Sequence, residues 1–524
     1  MNPLTVAICV VACFICYNII NVAVKLLKLG LLSGYAPKSE EPRSLPFVGA
    51  AYLAFGNTEV ILKKILEVGK TYPPSFQTSW GSFSIFATVI PEQFKVLLLS
   101  SKTMDKNEFY DFGRPWVGDG LITAPESIWK LHRKLIQPSF NHMILKSYVN
   151  TFSAQSIIMV KKLERHLDGP EFEVDKYLSR CTLDVVCETT MGIKLEAQKN
   201  DSCDYAEAVE NVLSAMVKRA LSPWLYPDFI FYRTQIGKDQ QKNIQFLHEF
   251  ADNIIRKKKK EIRQRTRQRE PADNEQDTDS LSTHFETLID NLIKLSDDNE
   301  ILTDKAVREQ VETMITAGSD TTTLTGSFLM MMLASYPDVQ EKVYQELTGI
   351  FEGDGGYDDT GELQITPEAM SSMIYMERVI KETMRLFPVV PIIFRKVTDD
   401  LVLDQFTLLR GSSVALSIIG AHRSEKYWTD PLKFDPDRFL PERFAEQQPF
   451  SYLPFSGGSR SCIGSKYAMM FLKTLTATIL WRYVIRQDNV TPVKDLRMKM
   501  EFLLRPVIPI AVRIERRTRK HDFA

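Results

Sequence analysis

A single cysteine near the C-terminal end of the chain lies in a glycine-rich loop that could bind a metal ion. The segment Phe455–Gly464 reads FSGGSRSCIG, and Cys462 is its cysteine. Cysteine binds metals as its thiolate, and glycines let the backbone turn tightly and approach a flat group closely. A helix is predicted over Ser465–Trp481, so its positive N-terminal end would lie beside the sulfur and favour the anion. The loop therefore predicts a metal–thiolate site.

Two further features of this loop bear on the predicted site. Backbone N–H groups freed by the turn could bond the sulfur of Cys462 and tune the metal. Arg460 could pair with a carboxylate, because a guanidinium binds carboxylates bidentately. The alternative is a buried structural cysteine beside a turn, since free cysteine is among the most buried residue types. Motifs elsewhere in the chain decide between the two.

One long helix is predicted over Thr303–Ser335, where a threonine can cap the start and a proline follows the end. Within it, residues 317–322 read AGSDTT. Gly318 and the threonines are poor helix formers, so we expect a kink or groove where a small ligand could reach the backbone. Asp320 and Thr321 would supply an acid and a hydroxyl for moving protons. The alternative is that these side chains are buried and satisfied within the helix.

Other motifs place hydrogen-bond donors and ion pairs at helical spacing. Trp129 and Arg133 are four residues apart, and both side chains only donate hydrogen bonds, which suits a carboxylate. Glu382 and Arg385 are three residues apart on one face of a predicted helix. Such pairs are common on solvated helix surfaces, so neither motif is decisive alone. Their order along the chain, taken with the cysteine loop and the long helix, is informative.

These motifs resemble, in the same order, those of the cytochrome P-450 family over about residues 45 to 510. The loop matches that family's haem-ligand pattern Phe-x-x-Gly-x-Arg-x-Cys-x-Gly, which here includes Phe455, Arg460, Cys462 and Gly464. The resemblance implies haem b, bound through the Cys462 axial bond. It also implies the cytochrome P-450 fold, mainly α with a small β part, as one catalytic domain after an N-terminal transmembrane helix.

The resemblance also assigns roles to the remaining motif residues. It implies that the haem propionates contact a set of donors, namely Trp129, Arg133, Arg395 and Arg460. It implies that Asp320 and Thr321 pass protons during dioxygen activation. A buried structural network that holds the ligand loop would consist of Glu382, Arg385 and Arg438. We expect His422 to be a haem-edge or structural residue and not an axial ligand.

One departure from the family concerns the residue before Gly318. The run Gln310–Thr322 resembles the fatty-acid ω-hydroxylase branch, including its insect members. That branch often has a glutamate there, able to form an ester link to the haem, whereas this chain has Ala317. We therefore expect haem that is non-covalent apart from the axial bond, and terminal hydroxylation of fatty acids becomes a weaker expectation. Substrate contacts are expected from residues 316–317, 387–394 and 107–125.

Composition narrows the class of protein. The chain has 524 residues and a formal net charge of -1, which gives no support for nucleic-acid binding. Its seven cysteines show no paired framework, which indicates a reducing compartment and no disulfide scaffold. Residues 59–350 are mostly helical in their periodicity, and β-branched residues with turn signals predict short strands between Phe394 and Ser417.

The N-terminal segment predicts a membrane anchor. Residues 3–24 contain no charged side chain and match the length of a bilayer-spanning helix. Lys25 and Lys28 follow at once and would hold that end in the cytosol. The alternative, a cleaved signal peptide, would have a basic start and a small-residue cleavage site. We therefore expect an anchor at 3–24, a proline-rich linker at 25–46 and a haem-binding domain at 47–524, on the cytosolic face of the endoplasmic reticulum membrane.

The resemblance implies a monooxygenase that inserts one atom of O2 into a lipophilic small molecule. Because the chain has no Rossmann glycine fingerprint, electrons would come from a separate partner, NADPH–cytochrome P-450 reductase, with cytochrome b5 as a second candidate. Lys130, Lys134 and Lys466 could form a basic docking face or a merely solvated one. Two other functions stay open: a haem-thiolate isomerase or dehydratase acting on peroxides, and a non-enzymatic carrier of apolar ligands.

Overall fold

The computed structural model describes residues 49–54, 56–80, 83–199, 204–268, 286–297, 301–352, 356–358, 361–404 and 406–518. The predicted anchor at 3–24 and linker at 25–46 lie outside these ranges. Within the described ranges, no helix has both the length and the apolar character needed to cross a bilayer.

Helices make up most of the described fold, as predicted. The α-helices are α1 (Thr58–Thr71), α2 (Pro91–Leu99), α3 (Arg114–Val117), α4 (Glu126–Ile136), α5 (His142–Ser147), α6 (Val149–Leu163), α7 (Asp175–Thr190), α8 (Asp204–Leu221), α9 (Asp228–Phe231), α10 (Gln235–Gln268), α11 (Leu288–Asp297), α12 (Asp304–Ser335), α13 (Pro337–Phe351), α14 (Pro367–Ser372), α15 (Ile374–Leu386), α16 (Ile418–His422), α17 (Pro441–Ala445) and α18 (Ser465–Arg482).

The strands form small sheets beside the helices. They are β1 (Ser75–Trp80), β2 (Phe83–Thr88), β3 (Phe172–Glu173), β4 (Ile392–Lys396), β5 (Leu401–Leu403), β6 (Phe406–Leu408), β7 (Ser413–Ser417), β8 (Tyr483–Arg486), β9 (Met498–Glu501), β10 (Leu503–Pro506) and β11 (Ala511–Arg516). The largest sheet has the order β1-β2-β7-β4, with β2 and β7 parallel and the other pairs antiparallel. The short strands predicted between Phe394 and Ser417 are therefore confirmed.

The long helix predicted from the sequence is present as α12. Its N-cap is Thr303, whose side-chain oxygen accepts a hydrogen bond from the Ala306 N–H at 3.1 Å. It ends at Ser335, and its side chains are buried along almost its whole length. The helix is continuous through residues 317–322, so the low helix propensity of the AGSDTT segment does not end it. The packed side chains on both sides outweigh the low helix propensity of that segment.

Helix α18 follows the cysteine loop without a break. Gly464 is its N-cap, and the helix is buried over most of Phe471–Trp481. A helix that is apolar on nearly all sides belongs in a core, and α18 packs against α6, α13 and α15. The predicted helix over Ser465–Trp481 is thus confirmed to within one residue. Because α12 also crosses the core, the cysteine loop and the AGSDTT segment come to face one cavity.

Candidate active site

The cysteine loop is closed by a backbone hydrogen bond. The Cys462 N–H donates to the Phe455 carbonyl oxygen at 2.9 Å and so joins the two ends of the turn. Gly458 has a φ of +68°, and a Cβ there would lie 2.0 Å from the Leu98 carbonyl oxygen. Only glycine therefore fits at this turn, because the backbone conformation and the close approach both exclude a side chain.

The sulfur of Cys462 faces the cavity between the loop and α12. Burial raises the pKa of the Cys462 thiol, while the Gly464 backbone N–H and the Arg133 guanidinium oppose that rise. The Gly464 N–H is one of the loop groups that the sequence analysis expects to favour the thiolate, and it acts against the desolvation of the sulfur. A bound metal cation would deprotonate the thiol.

The cavity has a volume of about 340 Å³ and lies between α12 on one side and the cysteine loop on the other. Its walls include the predicted residues of both segments, together with apolar side chains. Among the lining residues are Trp129, Arg133, Ala317, Gly318, Asp320, Thr321, Val389, Arg395, Phe455, Arg460, Cys462 and Gly464. The fold thus brings to one cavity every residue to which the sequence assigned a haem contact or a catalytic role.

Buried cationic side chains converge on one edge of this cavity. Arg395 is 2% exposed, and one of its terminal guanidinium nitrogens has no hydrogen-bond partner within the described part of the chain. Arg460 donates one terminal N–H to the Ala124 carbonyl oxygen at 2.8 Å, while its Nε and other terminal nitrogen have no partner among the residues that the structure describes. Burial and the neighbouring Arg395 lower the pKa of Arg460 to about 10. These donors point to an anionic ligand, because an unpartnered buried guanidinium is costly.

Lys106 joins this cluster, although the sequence analysis did not select it. Its side chain lines the cavity, and its ammonium group lies 4.5 Å from the centre of the Tyr110 ring. Burial, followed by the charges of Arg395 and Arg460, lowers the pKa of Lys106 well below its ordinary value. A ligand with two carboxylates would relieve the mutual repulsion of the three cations.

Trp129 and Arg133 extend the same edge from α4. The Trp129 ring is buried and carries the Arg460 guanidinium on its face, 4.4 Å from the ring centre. Arg133 donates to the Ser461 carbonyl oxygen at 3.0 Å, which ties α4 to the cysteine loop. The tryptophan ring therefore positions an arginine at this edge of the cavity.

The residues present fit haem b. A thiol faces the cavity, cationic donors suitable for two propionates lie at its edge, and apolar side chains complete the walls. Cys462 would bind the iron, and Arg395, Arg460 and Lys106 would bind the carboxylates.

Asp320 and Thr321 face the cavity from α12. The Thr321 hydroxyl donates to the Ala317 carbonyl oxygen at 2.7 Å, four residues back. Asp320 is held by Arg505, which donates to both carboxylate oxygens at 2.8 and 2.7 Å. Burial raises the pKa of Asp320, and the Arg505 guanidinium opposes that rise. Thr321 is therefore hydrogen-bonded within its own helix, as the alternative in the sequence analysis describes. Asp320 instead has a partner from outside the helix.

The Glu382, Arg385 and Arg438 side chains are in contact behind the cysteine loop. Arg385 forms a two-pronged ion pair with Glu382 at 2.6 and 2.9 Å, and both side chains are fully buried. Arg438 lies 3.4 Å from the same carboxylate, and the Asp435 N–H donates to it at 2.9 Å. Each Glu382 oxygen thus has donors, as a buried charge requires.

His422 connects this network to the loop. Its Nε2 accepts a hydrogen bond from the Leu453 N–H at 2.8 Å, and its Nδ1 lies 3.2 Å from the Arg385 carbonyl oxygen. Arg385 also donates to the His422 carbonyl oxygen at 2.7 Å. Because both ring nitrogens are used by the backbone, His422 has the structural position that the sequence analysis preferred over an axial one.

A second cavity adjoins the first and shares Tyr110, Met216, Val390 and Phe502 with it. It is bordered by β1, β2, α1 and α8, and its lining is almost wholly apolar. No charged side chain lines it among the residues that the structure describes. The four shared residues form the wall between the inner cavity and this outer one.

The comparison with known families agrees with this geometry. Residues 39–511 match the family described as Cytochrome P-450. Because that match covers most of the chain, the chain belongs to the cytochrome P-450 family, whose members are haem-thiolate monooxygenases.

Curated relatives place the chain more narrowly, beside members of cytochrome P-450 family 4. It is 31% identical to human (Homo sapiens) "Cytochrome P-450 4V2" over 93% of this chain and 92% of that protein. It is 32% identical to "Cytochrome P-450 4c21" of Blattella germanica over 90% of this chain and 92% of the relative. For "Cytochrome P-450 4c3" of Drosophila melanogaster the identity is 32%, over 92% and 89%. The resemblance to insect members of this branch is thereby confirmed.

Proposed function

We propose that this protein is a membrane-bound monooxygenase that inserts one atom of O2 into a lipophilic small molecule with electrons from a separate NADPH-dependent reductase. The observation that carries the proposal is the position of the Cys462 sulfur, which faces Asp320 and Thr321 across one largely apolar cavity. A bound haem with a thiolate ligand activates dioxygen and favours O–O cleavage. The protein's own residues would do the rest.

Holding the haem is the task of the buried donors. Cys462 would supply the axial bond, and Trp129, Arg133, Arg395 and Arg460 would contact the propionates. Lys106 would add a further cation at the same edge, because it shares the cavity with Arg395 and Arg460. The network of Glu382, Arg385 and Arg438 would hold the loop in shape through His422, since the Leu453 N–H bonds to that ring.

Orienting the substrate is the task of the apolar walls. Residues from the expected segments contribute, including Leu121, Thr316, Ala317, Val389 and Val390. Such walls exclude water from the reacting centre and accept a lipophilic molecule by burying its surface. Ala317 leaves no carboxylate beside the haem edge, so we propose haem that is non-covalent apart from the axial bond.

Moving protons is the task that we assign to Asp320 and Thr321. A carboxyl group and a hydroxyl group in a largely dry cavity can accept a proton from water and pass it inward. Their adjacency on α12 and their exposure to the cavity support this assignment.

The partners and the location follow from the class of reaction. We propose NADPH–cytochrome P-450 reductase as the electron donor, with cytochrome b5 as a second donor. Lys130, Lys134 and Lys466 are exposed and could dock an acidic partner. The apolar run at 3–24 supports an anchor in the endoplasmic reticulum membrane with the catalytic domain in the cytosol, after a linker at 25–46 and with the haem domain at 47–524.

The test is reconstitution of the full chain with haem, reductase and NADPH in vesicles, using a panel of lipophilic compounds. The proposal expects a product that carries one oxygen atom from 18O2 and forms only when NADPH and reductase are present. Rearrangement of a peroxide without reductase would instead support the isomerase alternative. Binding of the compounds without haem or turnover would support the carrier alternative.

A further inference from the structure

A hairpin near the C-terminus contacts both cavities through Phe502 and contacts Asp320 through Arg505. Strands β9 and β10 are joined at Phe502, which has a φ of +67°, unusual for an aromatic residue. The Phe502 ring lies edge-on to Tyr110, with 6.0 Å between ring centres, and lines both cavities. Phe502 therefore lies at the boundary between the outer cavity and the inner one.

Arg505 lies three residues after Phe502, on β10. One of its terminal nitrogens donates to both oxygens of Asp320, at 2.8 and 2.7 Å. Both side chains are largely buried, with 14% and 15% of their surfaces exposed. The Asp320 carboxylate therefore has both of its oxygens engaged by an arginine that belongs to the hairpin and not to α12.

The surroundings of this ion pair are also charged. The charge of Glu210 on α8 raises the pKa values of Asp320 and Arg505, and the charge of Glu501 on β9 raises the pKa of Arg505. The hydroxyl of Tyr205, also on α8, lies 3.0 Å from the Thr316 hydroxyl. Asp320 is one of the charged groups that raise the pKa of Tyr205. Arg505 is thus the cation that acts on Asp320, with acidic groups around both.

The hairpin is also tied to a wall of the substrate cavity. The Leu504 N–H donates to the Val389 carbonyl oxygen at 2.9 Å, and Val389 lines the inner cavity together with Leu503. Because side chains in a short hairpin move together with its backbone, displacement of Phe502 or of this wall would be transmitted to Arg505. The non-glycine φ at Phe502 marks the turn as a strained point that can relax.

We propose that Arg505 is a positioning residue that restrains Asp320 from proton transfer until a substrate displaces the hairpin at Phe502. This inference rests on the proposed function, because it presupposes that Asp320 moves protons. An oxygen that accepts from Arg505 must lose that bond, or share it, before it can accept a proton from water. Substrate at Phe502 would loosen the pair and so link proton supply to the presence of something to oxidise.

The test measures NADPH oxidation by the haem-loaded full chain with reductase and no substrate. We expect Arg505→Gln to raise this rate about tenfold, a part of the range that a positioned acid contributes. Arg505→Lys should raise it less, because an ammonium group keeps the positive charge, although it lies on a side chain of different length and shape. Phe502→Ala should also raise it, since the hairpin then loses its packing on Tyr110.

Two controls separate restraint from general disturbance. Lys494 is exposed and lies four residues before β9, so Lys494→Gln should leave the substrate-free rate unchanged. In the Asp320→Asn background, Arg505→Gln should have no further effect on that rate. An unchanged or lowered rate in Arg505→Gln, or a rise that survives Asp320→Asn, would overturn the inference.

A second readout does not depend on turnover. In thermal unfolding, Asp320→Asn and Arg505→Gln should be non-additive, because each removes one half of the same ion pair. Additive shifts would contradict the pairing. If Arg505→Gln fails to retain haem, the Arg505→Lys rate decides the matter. Failure of the proposed function would look different, since the unaltered protein would then take no electrons from the reductase.

Discussion

The imidazole of His422 accepts a hydrogen bond from the Leu453 N–H at 2.8 Å, just before the loop that carries Cys462. Two hydrogen bonds join the same histidine to Arg385 of the buried ion-pair network. The His422 carbonyl oxygen accepts from the Arg385 guanidinium, and the His422 Nδ1 contacts the Arg385 carbonyl oxygen. The shape of the cysteine loop therefore depends on a group that touches no ligand. For Nε2 to accept, His422 must be neutral with its proton on Nδ1.

His422→Ala should destabilise the protein and weaken its hold on haem. The substitution leaves the Leu453 N–H buried without a partner, at a cost of about 1–3 kcal/mol for each such group. Chemical denaturation and the haem content of the purified variant measure the effect. His142 is exposed, so His142→Ala is the matched control, and equal losses in the two variants would contradict this role.

His422 should also make stability depend on pH. Burial and the Arg385 charge lower the pKa of His422 to about 3, whereas an unfolded histidine titrates near about 6.5. Below that pH the unfolded chain binds a proton that the folded chain does not, so stability falls as pH falls, by up to about 1.4 kcal/mol per pH unit. The difference in unfolding free energy between the unaltered protein and His422→Gln should therefore shrink from pH 7 to pH 5. A constant difference would count against a neutral buried imidazole.

Glu312 should produce the opposite pH dependence. Its carboxyl oxygens are buried and have no hydrogen-bond partner among the described residues, and burial raises its pKa to about 9. Arg308 opposes this rise, Asp252 and Glu309 add to it, and the His248 ring lies 3.6 Å away. As pH rises above the unfolded value, the unfolded chain loses a proton that the folded chain keeps, so folding stability falls.

Glu312→Gln should therefore be more stable than the unaltered protein at pH 8, by up to about 5 kcal/mol, and no more stable at pH 4.5. Denaturation curves at the two pH values measure this. The exposed Glu207 on α8 provides the control Glu207→Gln, which should show no such gain. A gain that is equal at both pH values would refute a protonated Glu312.

Lys106 should contribute to haem retention as the arginines do. Replacing it with Met keeps its apolar length and removes one charged donor, a loss of about 1.5–3 kcal/mol, or roughly 10- to 100-fold in haem affinity. Transfer of haem to an acceptor protein measures the effect. Lys130 is exposed and pairs with Glu126 at 2.7 Å, so Lys130→Met should retain haem normally. Equal retention in both variants would exclude Lys106 from the propionate contacts.

The apolar path should favour uncharged ligands. Among the described residues no charged side chain lines the outer cavity, and the inner cations are assigned to haem. A buried carboxylate without a partner costs several kcal/mol, so methyl dodecanoate should bind at least about tenfold more tightly than dodecanoic acid. Spectral titration of the ferric protein compares the two. Equal or tighter binding of dodecanoic acid would mean that a cationic side chain pairs with its carboxylate, which would contradict the prediction.

The sequence predicted those parts of the site that local spacing encodes. The Cys462 loop and the helix after it depend on residues close in the chain, so their motifs could be recognised. The spacing of Glu382 and Arg385 predicts an ion pair, whereas its burial was implied only by the family resemblance. The long helix α12 was also found, because its cap and its following proline are local signals.

Lys106 and Arg505 could not be predicted in this way. Each reaches the site from an element far along the chain, and neither lies in a pattern that marks it. Lys106 stands one residue outside the segment from which substrate contacts were expected, in an irregular stretch. Arg505 is an ordinary strand residue whose partner, Asp320, is 185 residues away. Tertiary packing alone brings such groups together.

The most direct test of the account is the absorption spectrum of the purified, haem-loaded protein after reduction and exposure to carbon monoxide. A thiolate from Cys462 predicts the strongly red-shifted Soret band of haem-thiolate proteins, and Cys462→Ser should lose that band. Absence of the shifted band in the unaltered protein, or its persistence in Cys462→Ser, would contradict the claim that this sulfur is the ligand.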